Sequence, residues 1–303
     1  MANSVLLGGF VLLVMIAAML YYGARQATIR RRLDAETQRA DNEHELVAKL
    51  QEAFLQQPLP AIANMAFSAT YLPAAKQSLI GGDWYDAFEL PHGRVMFSIG
   101  DVAGHGIGAA VTMSRARQAI IAAALRDSNP GSVLARANET LVLQKSSFAT
   151  AICGYIDPRT LEVTYATAGH PPAILVDRDG AARLLQYDGL PLGVEPDSAY
   201  RTFVLIANHG SLLVLYTDGV LEYDHDIIEG ERRMLEAAKN IAAQRVADPA
   251  GAIEDAIFKN HKPLDDVAIL TIAFRDHSID AASGDHSDRW SIGLRGRRAA
   301  YPQ

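Results

Sequence analysis

The stretch Val95-Met96-Phe97-Ser98-Ile99-Gly100-Asp101-Val102-Ala103-Gly104-His105-Gly106-Ile107-Gly108-Ala109-Ala110 decides how the chain is read. It opens as an apolar strand pattern, turns through glycines, and then takes up a helix pattern. Strand, small-residue turn and helix N-terminus together present backbone N–H groups to an anion. The same residues also suit a close-packed strand-to-helix turn that holds no ligand. Asp101 stands where the strand ends.

Working outward, other acids occupy comparable places. Asp218 follows the apolar run Leu212-Leu213-Val214-Leu215-Tyr216-Thr217, and Asp265-Asp266 precede Val267-Ala268-Ile269-Leu270-Thr271-Ile272. A further cluster reads Gly81-Gly82-Asp83-Trp84-Tyr85-Asp86. Taken singly, Asp218-Gly219 reads as a hairpin turn, Asp265-Asp266 as a solvated strand start, and Gly81-Gly82-Asp83 as a loop. Taken together, carboxylates at strand ends can converge on one edge of a sheet. They repel one another unless a hard cation holds them, and oxygen ligands suit Mg²⁺ or Mn²⁺. The expected chemistry is that of a metal-dependent hydrolase.

The chain has 303 residues, and its formal net charge of −7 comes with no basic stripe through the core region, so nucleic acid is not expected as a partner. The single cysteine, Cys153, sits in an apolar strand-like run and excludes an intrachain disulfide. It reads as packing, with nothing nearby to activate a thiolate.

Both ends differ from the middle. Val5 to Tyr22 carries no charged residue and approaches the roughly 20 residues that span a bilayer as a helix. Met1-Ala2-Asn3-Ser4 lacks the basic start of a signal peptide, whereas Arg25, Arg30, Arg31 and Arg32 follow the apolar run. Residues 1–23 are therefore expected to be a single-pass anchor in the inner membrane, with the C-terminal part cytoplasmic. Residues 24–57 favour helix and contain no Gly or Pro. Leu33, Ala40, Val47 and Phe54 recur at heptad spacing, but Glu36 and Glu43 occupy the other seam positions. A homodimerising coiled-coil linker and a solvated spacer helix both remain open. Residues 276–303 are rich in Ser, Asp, Gly and Arg without periodicity and are expected to be disordered.

Between them, residues 58–275 alternate short strands and helices. Ala149–Ile156 and Leu161–Thr167 flank Asp157-Pro158-Arg159-Thr160 as a hairpin, and Ala173–Val176 and Ala181–Gln186 flank another turn. Helices are expected over Ala109–Arg126, over Ser132–Leu143 with Ser132 as N-cap, over Glu229–Arg245 and over Pro249–Lys259. Hairpins in runs and helices in separate blocks indicate an α+β fold.

The segments GGDWYDAFEL, IGDVAGHGIGAA, TAGHPPAIL, PLGV, LLVLYTDGVLE and LDDVAILTI resemble, in order and wording, the metal-dependent protein phosphatases (PPM). The likeness is to their bacterial stress-response and sporulation branch, the SpoIIE-like phosphatases. It extends from about Leu55 to Phe274. It implies two antiparallel sheets face to face with helices outside, an α-β-β-α sandwich. It implies a serine/threonine phosphoprotein phosphatase that uses a metal-activated water and two Mn²⁺ or Mg²⁺ ions, with a third ion in some members. The substrate it implies is a phosphorylated anti-sigma-factor antagonist or a similar regulatory protein.

Carried onto this chain, the family's bridging carboxylate falls on Asp101 and a ligating carbonyl on Val102. Asp218 falls on a further metal ligand, the family's C-terminal acidic pair falls on Asp265 and Asp266, both metal-ligand candidates with Asp265 the direct one, and Asp83 would hold metal-bound water or help form a third metal site. Asp86 reads as a ligand or a turn cap. His105 is a candidate general acid for the leaving hydroxyl, or else a solvated turn residue. His170 is expected to bond a backbone group near the site. No Arg between Pro60 and Gly82 matches the phosphate clamp of eukaryotic relatives; Lys76 is the one basic residue there. Two rival readings are a non-catalytic phosphatase-like binding module and a diguanylate cyclase suggested by Gly81-Gly82-Asp83. The first lacks support because the acidic positions are all present, and the second leaves Asp101, Asp218 and Asp265 unexplained.

Overall fold

Strand alternation sorts the side chains into layers. The computed structural model describes residues 58–74, 81–222, 226–259 and 263–275, and the isolated helical positions Met19, Tyr22, Gly23, Arg25, Gln26 and Arg30. Those isolated positions belong to a unit spanning Met1–Leu50; the rest belong to a second unit, Gln51–Gln303. Among the described residues no helix is long and apolar enough to cross a membrane. The expected anchor over 1–23, linker over 24–57 and tail over 276–303 lie, those positions aside, outside the described residues.

The second unit runs β1 (Met65–Leu72), β2 (Trp84–Glu89), β3 (Val95–Val102), α1 (Ile107–Ala124), α2 (Pro130–Leu143), β4 (Ala149–Asp157), β5 (Glu162–Ala168), β6 (Ile174–Val176), β7 (Ala182–Leu184), β8 (Thr202–Ile206), β9 (Leu212–Tyr216), α3 (Ile227–Gln244), α4 (Pro249–Phe258) and β10 (Val267–Phe274). One sheet has the order β1-β10-β9-β6-β7 and the other β2-β3-β4-β5-β8, with antiparallel pairing throughout. This is the expected α+β arrangement of two antiparallel sheets flanked by helices.

Phe97 and Ile99 of β3 meet Leu213 and Leu215 of β9 and Leu270 and Ile272 of β10 in the layer between the sheets. The alternate residues face outward: Met96 of β3 packs under α1 and α2. Tyr216, Val267 and Ile269 pack under α3 and α4. Both faces of each sheet are thus covered, which is why the strands read as continuous apolar runs.

Helix starts follow cap chemistry. The Asn129 side chain accepts the Ser132 N–H at 3.0 Å, and Pro130 occupies the first turn. The expected cap at Ser132 is therefore corrected: Asn129 caps and Ser132 supplies the N–H. Asp226 and Asp248 cap α3 and α4, accepting from Glu229 and Gly251. α3 accordingly begins before Glu229.

Inside the helix layer, Arg117 of α1 holds Asp86 of β2 through two bonds, Nε to Oδ2 at 2.7 Å and Nη2 to Oδ1 at 2.6 Å. Both side chains are almost fully buried. Asp86 is therefore a helix anchor and caps no turn, because its face of β2 looks outward, away from the inter-sheet layer.

Candidate metal centre

Parity along the strands determines which acids meet. Antiparallel pairing sets Trp84, which opens β2, opposite Gly100 near the end of β3. It likewise brings the end of β9 to the start of β10, Tyr216 opposite Ile269. Inward residues on β3 are Phe97 and Ile99, so Asp101 continues the inward face. By the same count, inward Tyr85 and Ala87 place Asp83, inward Leu213 and Leu215 place Thr217, and inward Ala268 and Leu270 place Asp266. The carboxylates meet at one end of the layer between the two sheets. The expected single sheet edge is corrected in that respect, since Asp83 and Asp101 belong to one sheet and Asp218, Asp265 and Asp266 to the other.

The backbone is shaped to permit this approach. A Cβ on Gly82 would lie 2.7 Å from the Val102 carbonyl oxygen and 3.1 Å from Asp101 Oδ1. A Cβ on Gly219 would lie 2.1 Å from the Asp266 carbonyl oxygen, so only glycine lets the two loops touch. Asp218 opens a short 3-10 turn, Asp218–Val220, in place of the hairpin that Asp-Gly suggests.

Asp83 and Asp266 are buried, Asp101 and Asp218 are half-buried, and Asp265 and Glu222 are exposed at the mouth. Burial pushes the Asp83 carboxyl well above the usual carboxylate range, and the neighbouring Asp101 charge pushes it further. Asp83 and Asp101 lie within hydrogen-bonding reach of each other. Asp101 is raised by burial, with Asp265 and Glu222 adding to it. Asp218 is pushed up to about 7, first by burial and then by Asp101, Glu222 and Asp265. Burial also raises Asp266, with Asp265 and Asp101 contributing. No cationic side chain among the described residues offsets any of these four carboxyls.

An all-oxygen donor set with surplus negative charge fits a hard divalent cation. Among the described residues no three such side chains are set to clasp one ion as they stand.

The members differ in what else they hold. Thr217 donates its hydroxyl to Asp83 Oδ2 at 2.7 Å. Asp266 Oδ1 accepts the Ala74 N–H at 2.9 Å and also bonds Tyr71, which turns it toward the segment after β1. The Asp265 charge instead acts on Asp101 and Asp218, while its Oδ1 accepts the Asp266 N–H at 2.7 Å. The Val102 carbonyl lies beside Gly82 in the same cleft.

His105 is exposed in the turn between Gly104 and Gly106, both of which have positive φ. α1 starts after Gly106 with no side-chain cap and no acid in its first turn, so its N–H groups stay open to an anion. His170 bonds backbone as expected: Nε2–H donates to the Tyr216 carbonyl at 3.1 Å, and Nδ1 accepts from the Thr150 hydroxyl at 2.8 Å. Cys153 is buried, its thiol pushed up by burial. Lys76 lies outside the described residues.

Two members escape a reading of the sequence. Glu222 closes the segment LLVLYTDGVLE, but only the 3-10 turn brings it to Asp101 and Asp218. Thr217 reads as one more strand residue; its inward parity is the signal that could have found it.

The model of the family Stage II sporulation protein E (SpoIIE) matches residues 91–275, more than half of the chain. The chain belongs to the SpoIIE family. It is 30% identical over 188 residues to the phosphoserine phosphatase RsbU of Bacillus subtilis, covering 61% of this chain and 55% of RsbU. It spans between 34% and 55% of the length of the curated relatives it matches. Among solved structures, the RsbU and RsbW domains of Rv1364c from Mycobacterium tuberculosis align with TM-score 0.63 and 30% identity, over 72% of this chain and 62% of that one. The SiaA-PP2C domain of Pseudomonas aeruginosa aligns with TM-score 0.65 over 80% of this chain and 98% of that one; at 23% identity this is a likeness of fold. SpoIIE membership agrees with the PPM resemblance of the motifs.

Proposed function

We propose that this SpoIIE-family chain is a Mg²⁺- or Mn²⁺-dependent serine/threonine phosphoprotein phosphatase. One observation carries the reading: Asp83, Asp101, Asp218 and Asp265 come from four strand ends into one cleft that no cation among the described residues neutralises. Asp101, the Val102 carbonyl, Asp218 and Asp265 would hold the ions, with Asp83 serving a further one and Asp266 fixing the loop behind. When bound, the ions supply a nucleophile at neutral pH and offset phosphoryl charge.

The chain's own groups do the rest. Glu222 adds negative charge at the mouth, which favours cations there. The uncapped N–H groups at the start of α1 can receive an anion such as phosphate. The exposed His105 ring can hand a proton from a ring nitrogen to the leaving serine or threonine oxygen.

The substrate we infer is a phosphorylated anti-sigma-factor antagonist or a similar small regulator. Support comes from the phosphoserine phosphatase RsbU and from the structure that joins RsbU and RsbW domains in one protein. We further propose that residues 1–23 anchor the chain in the inner membrane with the catalytic unit cytoplasmic, on the arginines that follow Tyr22. The heptad positions of residues 24–57 support pairing of two chains.

The test is phosphate release from a panel of phosphoseryl and phosphothreonyl peptides by the full-length chain, with Mn²⁺ and with chelator. Release that requires Mn²⁺ or Mg²⁺ supports the reading; no release from any peptide at any metal concentration contradicts it. A periplasm-only reporter fused after Gln303 should be silent, and strong signal would reverse the topology.

A further inference from the structure

The sandwich has a second cleft at the end opposite the carboxylates. It has a volume of about 400 Å³ and lies where β9 begins and β10 ends, beneath the turn from α3 to α4. β10 connects the two ends; its eight residues place them roughly 26 Å apart. The walls carry Arg178, His209, Arg245 and Arg275, and the floor is apolar, with Leu212, Ile241 and Val246. Among the described residues no Asp or Glu lines it. That local charge is the reverse of the chain's net −7.

Two described acids near the walls in sequence, Asp177 and Asp248, are already engaged. Asp248 Oδ1 accepts the Gly251 N–H at 3.1 Å as the cap of α4, and Asp177 Oδ1 accepts from the Ser211 hydroxyl at 3.3 Å. Among the described residues neither the Arg245 nor the Arg275 side chain has an ion-pair partner. Arg245 ends α3 in the left-handed conformation, φ 50°, which turns the chain sharply at the cleft. The Arg178 stem lies along Gly210, where a Cβ would come within 3.1 Å of its Cγ. The Arg275 carbonyl accepts from His209 Nδ1 at 2.6 Å, joining two walls.

Guanidinium forks match phosphate geometry, and clefts of about 300–1,000 Å³ with an apolar floor and a few converging polar groups are the form small-molecule sites take. We propose that this cleft binds a small organic phosphate, its anionic group between Arg245 and Arg275 and its organic body over Leu212, Ile241 and Val246. The site is independent of the phosphatase reading, since it shares no residue with the carboxylate centre.

The experiment is calorimetric titration of full-length Asp101→Asn protein in EDTA with AMP, inorganic phosphate and adenosine. That background keeps the carboxylate centre and metal ions out of the measurement. AMP should bind once per chain with a Kd below about 1 mM, inorganic phosphate more weakly, and adenosine not measurably. Adding Arg245→Gln and Arg275→Gln should weaken AMP by about tenfold or more, whereas Arg115→Gln with Arg136→Gln, exposed elsewhere, should not. Absence of saturable binding by both phosphate probes, equal binding of adenosine, or affinity that survives the Arg245/Arg275 changes would overturn the proposal. Circular dichroism of each variant separates lost binding from lost fold.

Discussion

Thr217 and Asp83 lie 134 residues apart in sequence, yet the Thr217 hydroxyl donates to Asp83 Oδ2 at 2.7 Å across the gap between the two sheets. The same hydroxyl oxygen accepts the Ala268 N–H at 2.8 Å. One fully buried side chain thus fixes a carboxylate of one sheet and stitches β9 to β10 of the other.

Thr217→Val should therefore lower Mn²⁺ affinity about 10–100-fold, the usual range for groups that orient a ligand. It should also destabilise the fold by about 1–3 kcal/mol, because the Ala268 N–H loses its acceptor. Thr217→Ser should restore both. Calorimetric Mn²⁺ titration and urea unfolding check this; a Val variant that matches wild type in both would remove Thr217 from the account.

The Arg117–Asp86 pair should behave as a buried pair does when one partner goes. Arg117→Met leaves Asp86 charged and unpaired and should cost about 3–5 kcal/mol. Combining it with Asp86→Leu should recover much of that loss, since two apolar groups need no partner. Urea midpoints of the single and double variants decide: a double variant no more stable than Arg117→Met would contradict the pairing.

His170 sets a pH dependence. Burial lowers its pKa to about 3, against 6.5 unfolded. Below 6.5 the unfolded chain binds a proton that the native chain excludes, so stability is full above 6.5 and falls as pH drops toward 3. His170→Gln removes this contribution and should flatten the fall between pH 7 and pH 5. Carboxylate titration is common to both proteins and cancels in the comparison. Equal slopes of urea midpoint against pH would show that His170 titrates normally.

Much of this was legible beforehand, and the gaps have physical causes. The acids at Asp83, Asp101, Asp218 and Asp265-Asp266 stand out because a carboxylate after or before an apolar run has few bland explanations when it recurs. Their division between two sheets was not legible, because alternation gives the face of a strand but not which sheet it joins. The edge strand β8, Thr202–Ile206, has no clear signature in the sequence, being five residues of mixed exposure. The Asn129 cap does not stand out in the sequence because Ser132 is an equally good cap by residue type, and only Pro130 in the first turn distinguishes them. Asp86 reads from sequence as a ligand or a turn residue because its partner, Arg117, lies 31 residues on, in a helix.

Glu222 provides a graded test of the cleft's charge. It reaches Asp101 and Asp218 through space only and is exposed. Glu222→Gln should weaken Mn²⁺ binding less than Asp218→Asn does, and the difference should shrink in high salt, which screens exposed charges first. A loss as large as that of Asp218→Asn, insensitive to salt, would make Glu222 a direct ligand.

The central claim is that the carboxylates between the sheets are a metal-dependent phosphatase centre, and Asp101→Asn tests it most directly. The measurement is Mn²⁺-dependent phosphate release from a phosphoseryl peptide by full-length wild type and Asp101→Asn, with circular dichroism and thermal melting of both. The account predicts turnover by wild type that chelator abolishes, none above background for Asp101→Asn, and a variant that stays folded. Without metal the variant should melt no lower than wild type, since a carboxylate raised by burial and by its neighbours is replaced by a neutral group. Wild-type turnover by folded Asp101→Asn in Mn²⁺ would contradict the account.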